Sequence, residues 1–331
     1  MRRIDIKLGY SCNDRCVHCV VDDFRDILRA RGMSQDKRTE QFLAEMETSR
    51  ARGEVIVFTG GEPTIRKDLP VLLERARDLD YAIHMQSNGR RFANSDFADK
   101  ITAIAPITYC IALHGPTAEV HDAVTRTSGA FHDTERGIRN LVARRQVVSS
   151  KIVLSKLNQS VVSATVRRLA ELGACHVSIA FPHALGTARK LWDVVVPRYR
   201  DVMEEVHAAL DAATAAGMTA DAETFPFCMM EGYERFVSEI AQQLEEYAEV
   251  RQYGDERETR DWSEERLRIK QKFPQCRGCR YEPVCEGPWT EYAERYGAEE
   301  FRPLRGQRVN EVAAFLDGSF RHEFPFLDLG P

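Results

Sequence analysis

The sequence predicts an α/β protein in which strand–helix units repeat around a parallel sheet, followed by a smaller segment that carries its own cysteines. Three observations lead there. Up to residue 185, short apolar runs alternate with longer stretches of helical spacing, the pattern of successive βα units. The run Val55-Ile56-Val57-Phe58 is continuously apolar, which fits a strand covered on both faces. The runs end in polar turns, and in parallel α/β folds the turns at strand C-termini converge on one face and build the site.

In chain order the predicted strands are Ile4 to Gly9, Val55 to Phe58, Ala82 to Met85, Ile107 to Leu113, Ser150 to Leu154 and His176 to Phe181. Between them, Leu69, Leu72, Leu73, Ala76 and Leu79 share one helical face. Val162, Val166, Leu169, Ala170 and Leu172 share another, stopped by Gly173. The turns after the strands are Ser11 to Cys19, Thr59 to Thr64, Gln86 to Gly89, His114-Gly115, Ser155 to Asn158 and Pro182 to Gly186. Histidines in these loops, His114, His121, His132 and His183, read first as partners of backbone groups. Beyond them, Val237 to Val250 and Ser263 to Lys272 read as charged helices. Glu245, Glu246 and Glu249 form the solvated face of the first, and Arg251 to Arg260 reads as a flexible loop. Trp289 and Tyr292 suit the core of a small domain. Phe315, Phe320, Phe324 and Phe326 give the tail enough apolar area to dock on the larger domain or a partner subunit.

With 46 Lys plus Arg against 51 Asp plus Glu in 331 residues, the formal charge is −5, and 43% of residues are hydrophobic, a globular composition with length for two domains. A chain of this size needs no disulfide staples. No cluster of basic residues offers a footprint for nucleic acid, and no apolar run approaches the roughly 20 residues of a membrane span. The charged opening Met1-Arg2-Arg3-Ile4-Asp5-Ile6-Lys7 does not suit a secretory signal, so a cytoplasmic location is expected.

Nine cysteines in such a chain point to metal ligation, and seven of them fall into two spaced sets, Cys110 and Cys175 standing apart. Cys12, Cys16 and Cys19 can wrap one compact cluster and leave a fourth position vacant. Zinc sites prefer four closed ligands, usually arriving as two pairs. A [4Fe–4S] cube held by three cysteines keeps one iron for an exogenous ligand.

Cys12-x3-Cys16-x2-Cys19 after the first strand, with Gly60-Gly61-Glu62-Pro63 after the second, resembles the radical S-adenosylmethionine (SAM) superfamily. The resemblance implies a partial (β/α)6 TIM-like barrel and a [4Fe–4S] cluster on Cys12, Cys16 and Cys19. It implies SAM chelated at the free iron, where one electron splits the sulfonium into methionine and a 5′-deoxyadenosyl radical that abstracts hydrogen from substrate. It assigns Gly60, Gly61 and Glu62 to the methionyl amine, Glu62 through a charge-assisted contact. It assigns Ser87 and Asn88 to polar contacts with SAM, Lys156 to its carboxylate or ribose, and His18 to the adenine. Strand-end capping uses the same residue types as Ser87, Asn88 and Lys156, and a surface position suits His18 equally. A reductant such as flavodoxin or ferredoxin is the implied electron donor.

The second set, Cys276, Cys279 and Cys285 with Cys228 upstream, lacks the second Cys-x2-Cys of a zinc ribbon. It resembles the SPASM and Twitch extensions of the MoaA, NifB and PqqE branch, which place an auxiliary [4Fe–4S] cluster beyond the barrel. A full SPASM carries cysteines for two clusters. Here Trp289 stands four residues after Cys285 and no cysteine follows, so one Twitch-like auxiliary cluster is expected. If Cys228 folds back, four thiolates make an electron-transfer site; if it does not, one iron stays open for substrate.

The expected organisation is a barrel over residues 1–220, an auxiliary cluster domain over 221–303 and a tail over 304–331. The implied reaction is hydrogen abstraction from a peptide or a small metabolite. The ending Leu327-Asp328-Leu329-Gly330-Pro331 lacks the glycine-arginine-arginine tail of molybdopterin-precursor cyclases, so that activity is not expected. The first strand starts at Ile4, so a peptide substrate is expected to come with a separate carrier. The alternatives are small-molecule cofactor or natural-product biosynthesis with substrate at the auxiliary cluster and, from another class, a non-catalytic iron–sulfur electron carrier, which has no use for a Gly-Gly-Glu turn.

Overall fold

The computed structural model describes residues 2–244, 247–254 and 259–315. Seven of the strands run parallel and in chain order: β1 (Arg2–Lys7), β2 (Val55–Thr59), β3 (Ala82–Ser87), β4 (Ile107–Ala112), β5 (Val147–Val153), β6 (His176–Ala180) and β7 (Thr219–Glu223). On the other edge, β8 (Tyr247–Arg251) pairs parallel to β1, and β9 (Thr259–Asp261) pairs antiparallel to β8. All six predicted strands are present, with β5 starting three residues earlier than expected. β7 runs across residue 220, the expected domain boundary.

One face of the sheet is apolar and the other polar. Ile4 and Ile6 of β1, Ile56 and Phe58 of β2, and Ile83 and Met85 of β3 join the helix-facing core. The helix Leu69–Asp78 answers them with Leu69, Leu72, Leu73 and Ala76, the face the spacing predicts. Burying each such leucine contributes about 1.5–3 kcal/mol. The helix Val162–Leu172 ends at Gly173 with φ 88°, a left-handed C-terminus that glycine adopts freely.

The alternate residues, Arg3, Asp5 and Lys7 in β1, His84 and Gln86 in β3, Lys151 in β5, and Asp221 and Glu223 in β7, occupy the opposite face. That face is concave. Helices pack on the apolar face of this parallel sheet, and the strand twist curls the sheet around its other face. Lys151 reaches past β6 to pair with Glu223. The polar face is therefore the lumen of a partial barrel.

Beyond β7 the expectations need correction. Among the described residues of the stretch expected to be helix from Val237 to Val250, the α-helix is Glu239–Leu244. The chain then enters β8, because the open edge of β1 offers backbone groups that a strand satisfies. Glu249 is accordingly no solvated face; it is 1% exposed and paired with Arg52 (2.9 Å) and Arg251 (2.6 Å). Glu245 and Glu246 lie outside the described residues. The expected loop from Arg251 to Arg260 contains the end of β8 and the start of β9, with 255–258 outside the described residues. Phe315 stacks on Phe227 at 5.1 Å, while Phe320, Phe324 and Phe326 lie outside the described residues.

The cysteine-bearing C-terminal segment packs against the barrel through an aromatic seam. Phe181, just past β6, stacks on Tyr199 at 3.8 Å, and Tyr292 meets both edge-on. Trp192 Nε1 donates to Tyr296 Oη at 3.0 Å, and Arg198 pairs with Glu300 at 2.6 Å. Trp289 and Tyr292 thus fill a core shared by barrel and cysteine segment. Beneath them Lys270 is buried between Glu239 and Glu286, and Arg266 holds Glu286 at 2.7 Å.

Candidate functional site

The loop that follows β1 carries Cys12, Cys16 and Cys19, and backbone contacts fix its course. Gly61 N donates to Gly9 O and Glu62 N to Ser11 O, both at 2.8 Å. A Cβ on Gly61 would stand 2.1 Å from Ser11 O, and one on Gly60 would stand 2.3 Å from Gly9 O. Only glycine permits this approach of backbone to backbone. Within the protein the two glycines clamp the turn after β2 against the cysteine loop.

Glu62, 3% exposed, joins the second and third turns. Its Oε1 accepts from Thr64 N (3.0 Å), Thr64 Oγ1 (2.6 Å) and Ser87 Oγ (2.7 Å), and its Oε2 from Asn88 N (2.7 Å). Burial pushes its carboxyl pKa up against these bonds, which favour the ionised form. Asn88 Nδ2 donates to Asn13 Oδ1 at 2.7 Å, and Arg90 reaches Asn13 O (2.9 Å) and Asp14 Oδ1 (2.8 Å). From the other side, Thr187 N donates to Cys19 O at 2.9 Å and Gly186 N to Asp23 Oδ2 at 3.0 Å. Sequence reasoning missed Asn13, Arg90 and Thr187; the signal for Thr187 was a glycine opening a helix directly after a strand turn.

Lys156 is not brought into this constellation. Its turn is fixed by Asn158 Oδ1, which accepts from Ser155 N at 2.7 Å, and its exposed ammonium donates to Asp193 O at 2.9 Å. The helix Trp192–Val195 therefore holds it. His18 is half-buried with its ring edge on His114 (4.5 Å between centroids), and His121 stacks behind at 5.9 Å. Burial, then the neighbouring His121, lowers the pKa of His18 to about 4. His114 and His121 are backbone partners: His114 N donates to His121 Nδ1 at 3.0 Å, and Val153 N to His114 Nδ1 at 3.3 Å. His183 departs from that expectation. It stacks on Trp289 at 4.0 Å and faces Glu291 at 3.4 Å.

Cys12, Cys16 and Cys19 are half-buried, and Cys16 senses the charges of the other two. Burial pushes all three thiols up, Cys12 to about 12, so without a bound cationic group they stay protonated. Asp14 N donates to Cys12 Sγ at 3.4 Å, a bond that favours charge on that sulfur. The three thiols and their amide donor fit an iron–sulfur cluster.

In the second set Cys228, Cys276, Cys279 and Cys285 line a single cleft, walled by Phe273 and Phe301. The short helical turn Phe227–Met229 brings Cys228 there, and its thiol is pushed up by burial and then by Cys285, Cys279 and Cys276. Among the described residues no three His, Cys, Asp or Glu side chains close around a single metal ion. Four thiols around one cleft suit a polynuclear cluster that takes one thiolate at each iron.

Residues 6–169, from β1 through most of the helix Val162–Leu172, match the family model of the Radical SAM superfamily, whose members bind a [4Fe–4S] cluster and SAM. Mycofactocin maturase MftC of Mycobacterium ulcerans (strain Agy99) is 33% identical over 137 residues, 41% of this chain and 35% of that protein. An AdoMet-dependent heme synthase of Oleidesulfovibrio alaskensis is 30% identical over 150 residues, 42% of this chain and 35% of that protein. The match spans about a third of the length of these curated relatives. Among solved structures, SuiB of Streptococcus suis bound to S-adenosylmethionine aligns with TM-score 0.62 at 12% identity over 91% of this chain and 76% of that one. Native anSMEcpe with bound AdoMet aligns with TM-score 0.61 at 13% identity over 98% of both. These two likenesses establish the shared fold. No helix among the described residues is long and apolar enough to cross a membrane.

Proposed function

We propose that the chain is a radical SAM enzyme that abstracts hydrogen from a peptide or small-metabolite substrate and uses a second, auxiliary cluster for electron transfer. The observation that carries this reading is the three-cysteine loop clamped along its backbone by the Gly60-Gly61-Glu62 turn. When bound, a [4Fe–4S] cluster with SAM supplies one-electron cleavage of the sulfonium and a 5′-deoxyadenosyl radical for hydrogen abstraction.

Cys12, Cys16 and Cys19 would hold that cluster and leave one coordination position for SAM. Glu62 Oε2 takes a single hydrogen bond from the protein, so it retains capacity for the ammonium of SAM. Ser87 and Asn88 orient that carboxylate as well as forming part of the polar rim. Cys228, Cys276, Cys279 and Cys285 would hold the auxiliary cluster with every iron ligated by the chain, which suits electron transfer rather than substrate binding. A flavodoxin or ferredoxin is the reductant this chemistry calls for, and a cytoplasmic setting goes with it.

Peptide substrates are favoured by the relatives, which include a maturase and structures titled as peptide complexes of SuiB and anSMEcpe. The heme synthases among them support a small-molecule substrate as the second reading. The test is anaerobic reconstitution with iron and sulfide, then release of 5′-deoxyadenosine from SAM under reductant. Wild type should release it and Cys16→Ala should not; bound zinc without iron, or release undiminished in Cys16→Ala, refutes the reading.

A further inference from the structure

The lumen holds a cation that no acid pairs with directly among the described residues. Lys7 is the last residue of β1, on the face opposite Ile4 and Ile6, so its side chain enters the lumen at the end where the cysteine loop begins. Among the described residues its ammonium has no hydrogen bond and no ion pair. The acids around it are already engaged. Asp5 pairs with Arg3 at 3.0 Å, Glu223 pairs with Lys151, and Asp221 is held by His176 Nε2 and Ser178 Oγ, each at 2.9 Å. Burial is the main cause that lowers the Lys7 pKa; the charge of Asp5 opposes it, and those of Arg3 and Lys151 add to it.

Lys7 is half-buried, so its unpaired ammonium can still be reached by a ligand entering the lumen. Register places a second donor beside it. Lys7 pairs with Thr59 across β1 and β2, and Thr59 Oγ1 donates to Gln86 Oε1 at 2.8 Å. That contact fixes the amide so that Gln86 Nε2, without a partner among the described residues, faces the lumen. An ammonium and an amide in one row, beside a paired lysine, match the two oxygens of a carboxylate.

We propose that Lys7 and Gln86 form an anion subsite that receives a carboxylate of the substrate inside the barrel. This rests on the reading above, in which the lumen takes the substrate, and it narrows the substrate class to molecules that present a carboxylate toward β1.

The test uses the full chain, reconstituted with iron and sulfide and saturated with SAM, and succinate as the probe. Calorimetric titration should show succinate binding and no binding of succinamide, its neutral counterpart. Lys7→Met should weaken succinate about tenfold or more, and Lys7→Arg should restore most of it. Should Lys7→Met lose its fold by circular dichroism, acetylation of wild type followed by peptide mapping decides instead: succinate should shield Lys7 and succinamide should not. Equal affinity in wild type and a folded Lys7→Met, no succinate binding to wild type, or Lys7 shielded by SAM alone would each overturn the subsite, the last by assigning the lysine to SAM. Failure of the radical reading is separable, since it appears as absent 5′-deoxyadenosine whatever succinate does.

Discussion

Gly61→Ala isolates the clamp between the two turns from every other property of the site. Gly61 does not have a positive φ, so alanine brings no backbone strain of its own, only a methyl group. That methyl would stand 2.1 Å from Ser11 O and 2.7 Å from Tyr10 C, both backbone atoms that cannot rotate aside. The turn must retreat by about an ångström, which costs roughly 1–3 kcal/mol as overpacking. The retreat also breaks the two 2.8 Å bonds from Gly61 N and Glu62 N, at about 1 kcal/mol each. The sum, about 3–5 kcal/mol, is a large part of the 5–15 kcal/mol that holds an ordinary domain together, but it falls on one loop. The expected result is loss of the first cluster with the second retained. Iron in anaerobically reconstituted protein should fall from about eight to about four per chain, with 5′-deoxyadenosine release abolished. Gly217→Ala is the control, since it carries left-handed strain (φ 72°) but has nothing within 4 Å of its Cβ; it should keep both clusters. If Gly61→Ala retains both clusters and cleaves SAM at the wild-type rate, the clamp has no role in building the site.

Other outcomes follow from the same contacts. Lys270→Met leaves Glu239 and Glu286 buried together without their shared cation, so about 3–5 kcal/mol should be lost, read as a lowered melting temperature and loss of the second cluster's iron. Burial alone would raise Glu286, but Lys270 and Arg266 outweigh it and hold its carboxyl below the ordinary value. Its contribution is therefore complete above about pH 4.5 and lost as pH falls through the depressed value; in Lys270→Met this acid-side loss in a chemical-denaturation series should shrink. Cys228→Ser should leave the first cluster unchanged and alter the electron paramagnetic resonance of the second; an identical spectrum would remove Cys228 from the ligand set. Lys156→Met should leave SAM affinity unchanged in equilibrium dialysis, because its ammonium is bound to Asp193 O.

The fold was legible where hydrophobic spacing is local. The strands up to Phe181 and the faces of Leu69–Asp78 and Val162–Leu172 could be read directly, because each apolar period is set within one element. β8 escaped because it pairs with β1, more than two hundred positions away, and because Glu249, which looks solvent-facing in sequence, is buried against Arg52 and Arg251. The cysteine spacing singled out both sets, and the cleft gathers Cys228 with the later three. What spacing did not reveal is the bracing. Asn13, Arg90 and Thr187 act through backbone and side-chain contacts between separate turns, and no periodicity encodes those. Lys156 shows the converse error, a charged residue at the right strand end whose turn aims it at another helix. Lys7, read only as a charge in the opening strand, gains meaning from its place on the lumen face, where Asp5 is taken up by Arg3 and no acid pairs with Lys7 among the described residues.

The most direct test is electron paramagnetic resonance of the reduced, oxygen-free Cys276→Ala variant, in which the N-terminal cluster is observed alone, recorded before and after SAM is added. An iron left open by Cys12, Cys16 and Cys19 should change its spectrum on chelating the sulfonium compound. A cluster signal that SAM leaves untouched would mean that the three-cysteine loop holds a closed centre and that the proposed chemistry does not occur there.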